Sequence, residues 1–102
     1  KAVAAKTVSR YPSSDVDLAF VVPNTVSAFD VHRAVRQGAG ALAVSVDLFD
    51  VYRGKGVNDD SRSLAFRIRL QAPDRTLTDE EVAAARQKSI DAVSKLGAQL
   101  RA

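Results

Sequence analysis

The sequence contains no cysteine. Disulfide frameworks and thiolate metal sites are therefore excluded, and the chain suits a reducing compartment such as the cytoplasm. Long apolar runs are also missing. None is long enough to span a membrane, and the first residues lack the hydrophobic stretch of a secretory signal. Histidine occurs once, as His32. It falls mid-helix between Val31 and Arg33 and reads as a solvent-facing residue. Triads and histidine-based metal sites have no partners to assemble from. A phosphate loop is absent too. "GKG" at 54–56 lacks the spacing and the Lys-Ser/Thr ending of that motif, and it joins two strands instead of opening a helix. Asp59 and Asp60 read as turn formers, not metal ligands. With no nucleophile–base pair, metal set or nucleotide loop in view, these residues are expected to catalyse nothing by themselves.

What is present describes one domain. The chain has 102 residues and 46% hydrophobic content, enough to bury a core without disulfides or metals. It opens on Lys1, as expected of a piece of a longer protein. Net charge is +3. Between Arg53 and Arg75 stand six basic residues (Arg53, Lys55, Arg62, Arg67, Arg69, Arg75) against three acidic ones (Asp59, Asp60, Asp74). The surplus there equals that of the whole chain, and it hints at a polyanionic partner.

Residues 1–10 show no clear period and read as a linker or N-terminal extension, with the domain proper at 11–102. "DVDLAFVVP" alternates, with Val16, Leu18, Phe20 and Val22 on one face, and Pro23 stops it. "TVSAFDVHRAVRQGAG" reads as a helix. Ser27 and Asp30 have capping-box spacing, Ala28, Val31, Ala34 and Val35 form the apolar stripe, and Gly38 and Gly40 end it. "ALAVSVDLFDVY" is a second strand whose apolar phase flips, placing a β-bulge near Leu48–Phe49 that re-aims Asp50 and Tyr52 away from the core. After a glycine-containing loop, a third strand over 63–71 alternates Leu64, Phe66, Ile68 and Leu70 against Ser63, Ala65, Arg67 and Arg69. Thr78 and Glu81 form a capping box opening a second helix, whose buried side is Val82, Ala85, Ile90, Val93 and Leu96. Gly97 closes it, and "AQLRA" is a short fourth strand.

The order strand, helix, strand, strand, helix, strand specifies an α+β, ferredoxin-like split-βαβ sandwich (βαββαβ), with two helices on one face of a four-stranded antiparallel sheet. The other face is left uncovered and carries Ala19, Ser63, Ala65, Arg67 and Arg69. The arginine stripe reads either as a solvated strand or as a phosphate-binding surface. Tyr52 beside Arg53 is either an ordinary strand-end tyrosine or a base-stacking platform. Asp50 either braces the bulge or accepts hydrogen bonds from a base edge.

"YPSSDVDLAFVV" at 11–22, "LFDVYRG" at 48–54 and "SLAFRIRLQAPDRTLTDEEV" at 63–82 together resemble the C-terminal ferredoxin-fold anticodon-binding domain of bacterial phenylalanyl-tRNA synthetase β subunits. The resemblance covers roughly residues 10–102. It implies a cytoplasmic RNA-binding module whose partners are the anticodon stem-loop of phenylalanine tRNA and, in a heterotetramer, the α subunit and the rest of the β subunit. Neither DNA nor a membrane is an implied partner. No cofactor is implied for these residues, since ATP and Mg²⁺ belong to the catalytic part of such an enzyme. Positions matching the family's anticodon contacts are Ala19, Asp50, Tyr52 and Ser63, while Arg53, Lys55, Arg62, Arg67 and Arg69 are the implied phosphate-orienting cations. Two departures remove positive charge. Asp15 and Val16 replace a frequent basic pair, and Ser61 and Arg62 replace another. A regulatory or oligomerisation module on the same fold is the alternative from a different class.

Overall fold

The computed structural model describes residues 11–101. The expected linker at 1–10 lies outside the described residues. The elements run β1 (Ser14–Pro23), α1 (Ala28–Ala39), a short 3-10 turn (Gly40–Leu42), β2 (Ala43–Tyr52), β3 (Ser61–Leu70), α2 (Asp79–Ser94) and β4 (Gln99–Leu100). The sheet is antiparallel with strand order β2-β3-β1-β4, which is the ferredoxin-like arrangement the sequence pattern specified.

Alternation sets the core. Val16, Leu18, Phe20 and Val22 of β1 and Leu64, Phe66, Ile68 and Leu70 of β3 are all buried against Val31, Ala34 and Val35 of α1 and Ala85 and Val93 of α2. Register is tight because slipping β3 by one residue would put Arg67 and Arg69 in that core. The helix starts follow their caps. Ser27 Oγ accepts the Asp30 N–H at 3.0 Å, and Thr78 and Glu81 form the reciprocal box.

Several local expectations are corrected. Gly38 does not end α1 but lies inside it. A Cβ there would sit 2.5 Å from the Lys88 carbonyl oxygen, so this glycine permits close approach of α1 to α2, and Gly40, at φ 74°, is the true C-cap. In α2, Ser89 is fully buried although it was not among the residues expected on the buried side, while Val82 and Ile90, and Leu96 just beyond the helix, are only half-buried. Its hydroxyl donates to the Ala85 carbonyl at 2.9 Å, satisfying a polar group that would otherwise be costly in the core. His32 does not face solvent. It is half-buried, with Nε2 2.7 Å from the Val46 carbonyl oxygen and its ring beside Phe66.

The bulge in β2 falls where the phase flip placed it, between Leu48 and Asp50, and a second irregularity at Val44 went unread. Together they leave Val44 exposed and send Phe49 outward. Val51 keeps the core phase, opposite Leu64, yet remains exposed on this edge strand.

Candidate nucleic-acid interface

Residues paired across a sheet share a face, so the register lays out the uncovered surface row by row. One row is Asp15, Arg69 and Ser45, and the next is Asp17, Arg67 and Asp47. Then come Ala19, Ala65 and Asp50, and finally Val21, Ser63 and Tyr52 with Gln99 beyond them. Ala19, Asp50, Tyr52 and Ser63, far apart in sequence, thus occupy two adjacent rows. Asp50 and Tyr52 reach this face because the bulge at Phe49 shifts the register ahead of them. Strands about 4.8 Å apart and same-face residues about 7 Å apart make this a patch roughly the size of a nucleobase.

Tyr52 is fixed in place. Its hydroxyl donates to the Lys55 carbonyl at 3.0 Å, and Gly54, at φ 144°, lies so close that a Cβ would sit 3.1 Å from that hydroxyl. The following loop is braced against the one after β1. The Asn24 N–H donates to the Asp60 carbonyl at 2.8 Å, and Arg62 Nη1 and Nη2 donate to the Pro23 and Val26 carbonyls, each at 2.9 Å. Arg53 Nη1 donates to Asn24 Oδ1 at 3.1 Å. Lys55 makes no side-chain bond among the described residues.

The arginine stripe has a different character. Arg67 Nε and Nη2 grip Asp17 at 2.9 and 3.0 Å, and Arg69 Nε and Nη2 grip Asp15 at 3.0 and 3.3 Å. These hydrogen bonds hold both carboxyls below their ordinary range and push both guanidiniums up. Arg67 also lies over the Phe49 ring, its guanidinium carbon 5.1 Å from the centroid. The positive face inferred from β3 alone is charge-balanced here, since β1 supplies a carboxylate opposite each arginine. Asp15, one of the departures noted above, is one of the two.

Among the described residues, Arg53 and Arg62, by contrast, bond only to neutral oxygens. Arg101, which sequence reading missed, likewise has no carboxylate partner among them. Its backbone N–H donates to the Ala19 carbonyl at 2.6 Å, and its guanidinium carbon lies 5.0 Å from the centroid of the Tyr52 ring. No local signal marked it, because a two-residue strand does not specify its own register. Ser63, expected as an exposed contact, is only 4% exposed.

The model of one family, the ferredoxin-fold anticodon binding domain, matches residues 9–101. Among curated relatives, the phenylalanine–tRNA ligase β subunit of Synechococcus sp. (strain JA-3-3Ab) is 54% identical over 80 residues, covering 78% of this chain and 10% of the relative. That of Cutibacterium acnes is 46% identical over 95 residues, covering 92% and 11%. That of Corynebacterium efficiens is 45% identical over 98 residues, covering 95% and 12%. The chain spans about a tenth of the length of these relatives. With nearly every residue inside the family match and the expected sheet order in place, the chain belongs to the ferredoxin-fold anticodon binding domain family.

Proposed function

We propose that the chain is the tRNA-binding domain of a phenylalanine–tRNA ligase β subunit and holds the anticodon arm of phenylalanine tRNA against the uncovered sheet face. Tyr52 stacks on an unpaired anticodon-loop base, Asp50 meets a base edge or sugar, Ser63 does so once the side chains around it give way, and Ala19 leaves room for close approach. Arg53, Lys55 and Arg62 orient the phosphate backbone from the adjoining loop, with Arg67 and Arg69 contributing less because each shares its charge with an aspartate. The chemistry, with ATP and Mg²⁺, belongs to the remainder of the enzyme, a cytoplasmic heterotetramer in which the α subunit and the rest of the β subunit are this domain's partners. No helix among the described residues is long and apolar enough to cross a membrane.

The observation that carries this reading is the convergence of Ala19, Asp50, Tyr52 and Ser63 on two adjacent rows, beside cations that no carboxylate among the described residues neutralises. A regulatory or oligomerisation module would be better served by an apolar sheet face. Filter-binding titrations at two salt concentrations test it, using the complete ligase, phenylalanine tRNA and an anticodon-swapped variant. Tighter binding of the cognate tRNA at both salts is expected. Equal binding of the two at both salts would remove the anticodon from the reading.

A further inference from the structure

Asn24 is the point where two loops meet at the tyrosine end of the sheet. It follows β1, Arg53 follows β2, and β3 lies between those strands. With neighbouring strands about 4.8 Å apart, the two loops reach toward each other across the end of β3. Asn24 occupies the second position of a turn closed by the Val26 N–H on the Pro23 carbonyl at 2.9 Å. Arg62 holds the same turn from β3 through the Pro23 and Val26 carbonyls, and the Ser27 cap ties it to the start of α1. From this fixed base the Asn24 side chain spans both arms of the β2–β3 hairpin loop. Its Nδ2 donates to the Asp59 carbonyl at 3.2 Å, and its Oδ1 accepts from Arg53 Nη1 at 3.1 Å. A carbonyl can only accept and a guanidinium can only donate, so each end of the amide faces the partner that suits it. An aspartate here would turn an oxygen toward the Asp59 carbonyl and would balance the Arg53 charge as Asp17 balances that of Arg67.

A free arginine side chain loses much rotamer freedom when it grips a phosphate. Part of that loss is met in advance where an acceptor already holds one corner of the guanidinium. We propose that Asn24 is a positioning residue for RNA binding, acting through Arg53: it holds the guanidinium beyond the last row of the uncovered face and leaves its charge intact. The inference rests on the functional reading above and adds to it a residue of the β1–α1 loop, off the sheet face altogether. A phosphate arriving at Arg53 meets a cation already in place. It has no carboxylate to displace there among the described residues, unlike a phosphate arriving at Arg67 or Arg69.

The test is a double-variant cycle on the complete ligase: the parent, Asn24→Ala, Arg53→Ala and the two combined, with Asn24→Asp alongside. Each is titrated with phenylalanine tRNA across a salt series, with melting curves as a control. Asn24→Ala should bind roughly two- to tenfold more weakly, the cost of ordering one long side chain on binding. It should keep the parental slope of log affinity against log salt, because Arg53 still carries its charge. Arg53→Ala should bind roughly tenfold more weakly at low salt, with a slope shallower by about 0.7 for one lost phosphate contact on a single strand. In the Arg53→Ala background, adding Asn24→Ala should cost nothing further. Asn24→Asp should match Arg53→Ala in slope, since it balances the charge it holds. A merely structural asparagine would lower the melting temperature and weaken binding alike in both backgrounds. Equal losses in the two backgrounds would therefore overturn the proposal. So would parental affinity in either single alanine variant, or a parental slope in Asn24→Asp. If the parent itself does not bind the tRNA, the functional reading falls and this one with it. Normal parental binding with unmoved variants removes this one alone. Should Asn24→Ala melt early, Asn24→Ser takes its place in the cycle, since serine suits a turn as asparagine does but is one bond shorter toward Arg53.

Discussion

The uncovered face of the sheet has two ends built from the same three strands. At one end Arg67 and Arg69 are each gripped at two points by Asp17 and Asp15 across the β1–β3 ladder. At the other, two rows further along, Tyr52 and Asp50 stand beside the small side chains of Ala19, Ala65 and Ser63, and the nearby cations bond to carbonyls, an amide or a ring. The first end answers the problem of keeping a bare sheet face in water without inviting another sheet onto it. The second leaves a flat ring, a carboxylate and unneutralised positive charge available to a ligand. A basic residue on a strand thus has no fixed meaning, because its availability is set by the residue opposite.

The largest effect expected is one that breaks both ends together. Phe66 is fully buried and pairs with Leu18 and Leu48 directly beneath the boundary between them. Phe66→Ala should cost about 3–5 kcal/mol of stability through lost packing and a residual cavity. Chemical denaturation should show it, and RNA binding should fall only where the fold is lost. Next in size is Tyr52→Ala, which should cost about 1–3 kcal/mol of tRNA binding through lost stacking, with the salt slope and the melting temperature nearly unchanged. Tyr52→Phe keeps the ring but loses the bond to the Lys55 carbonyl and should fall between the parent and Tyr52→Ala. Equal losses in the two variants would mean that the hydroxyl, not the ring face, carries the contact.

A third change converts one end toward the other. Asp17→Asn leaves Arg67 without its carboxylate and should make that end attractive to phosphate. Binding to any tRNA should tighten, with the salt slope steeper by about 0.7–0.9 for one added phosphate contact and no gain in discrimination between cognate and anticodon-swapped tRNA. Arg67→Ala in the parent should lower the slope by less than that, because its charge is already balanced. A full loss of slope in Arg67→Ala would show that the strand displaces Asp17, and the two ends would then be alike.

The strands, both helices, both caps and the β2 bulge were legible because period and capping chemistry are local. So was the membership of the uncovered face, since alternation alone decides which side a β3 residue takes. What stayed hidden depends on pairs. Opposite Arg67, the sequence shows Asp17 fifty residues away, and nothing in either strand announces the ion pair. Gly38 resembled a helix stop because its true requirement, room for the Lys88 carbonyl, lies on another helix. Ser89 was missed on the buried side because it is polar, but its hydroxyl bonds to the Ala85 carbonyl one turn back, which lets it sit in the core. Phe49 looked like a core residue until the bulge sent it out under Arg67. Arg101 escaped because its place follows from β4 pairing, over only Gln99 and Leu100.

The smallest effect should come from acid, and it distinguishes the ends by titration alone. Asp15 and Asp17 are held below the ordinary carboxylate range by Arg69 and Arg67. A carboxyl whose folded value is lowered adds stability that is complete above its unfolded value and is lost as pH falls through the folded one. Both pairs are exposed, so the contribution is modest and shrinks further in salt. Melting temperature followed from neutral pH down to about pH 3 should therefore fall in the parent. In an Asp15→Asn, Asp17→Asn double variant it should start slightly lower and fall less, so that the two curves approach each other in acid. Some acid sensitivity should persist in the variant, because Glu81 is likewise lowered by Arg75 and by its bond to the Thr78 N–H at the start of α2. Parallel curves would mean that the Asp15 and Asp17 pairs form without stabilising the fold. In that case the ion-paired end would be held by β-strand register alone, and its arginines would be as open to phosphate as those at the other end.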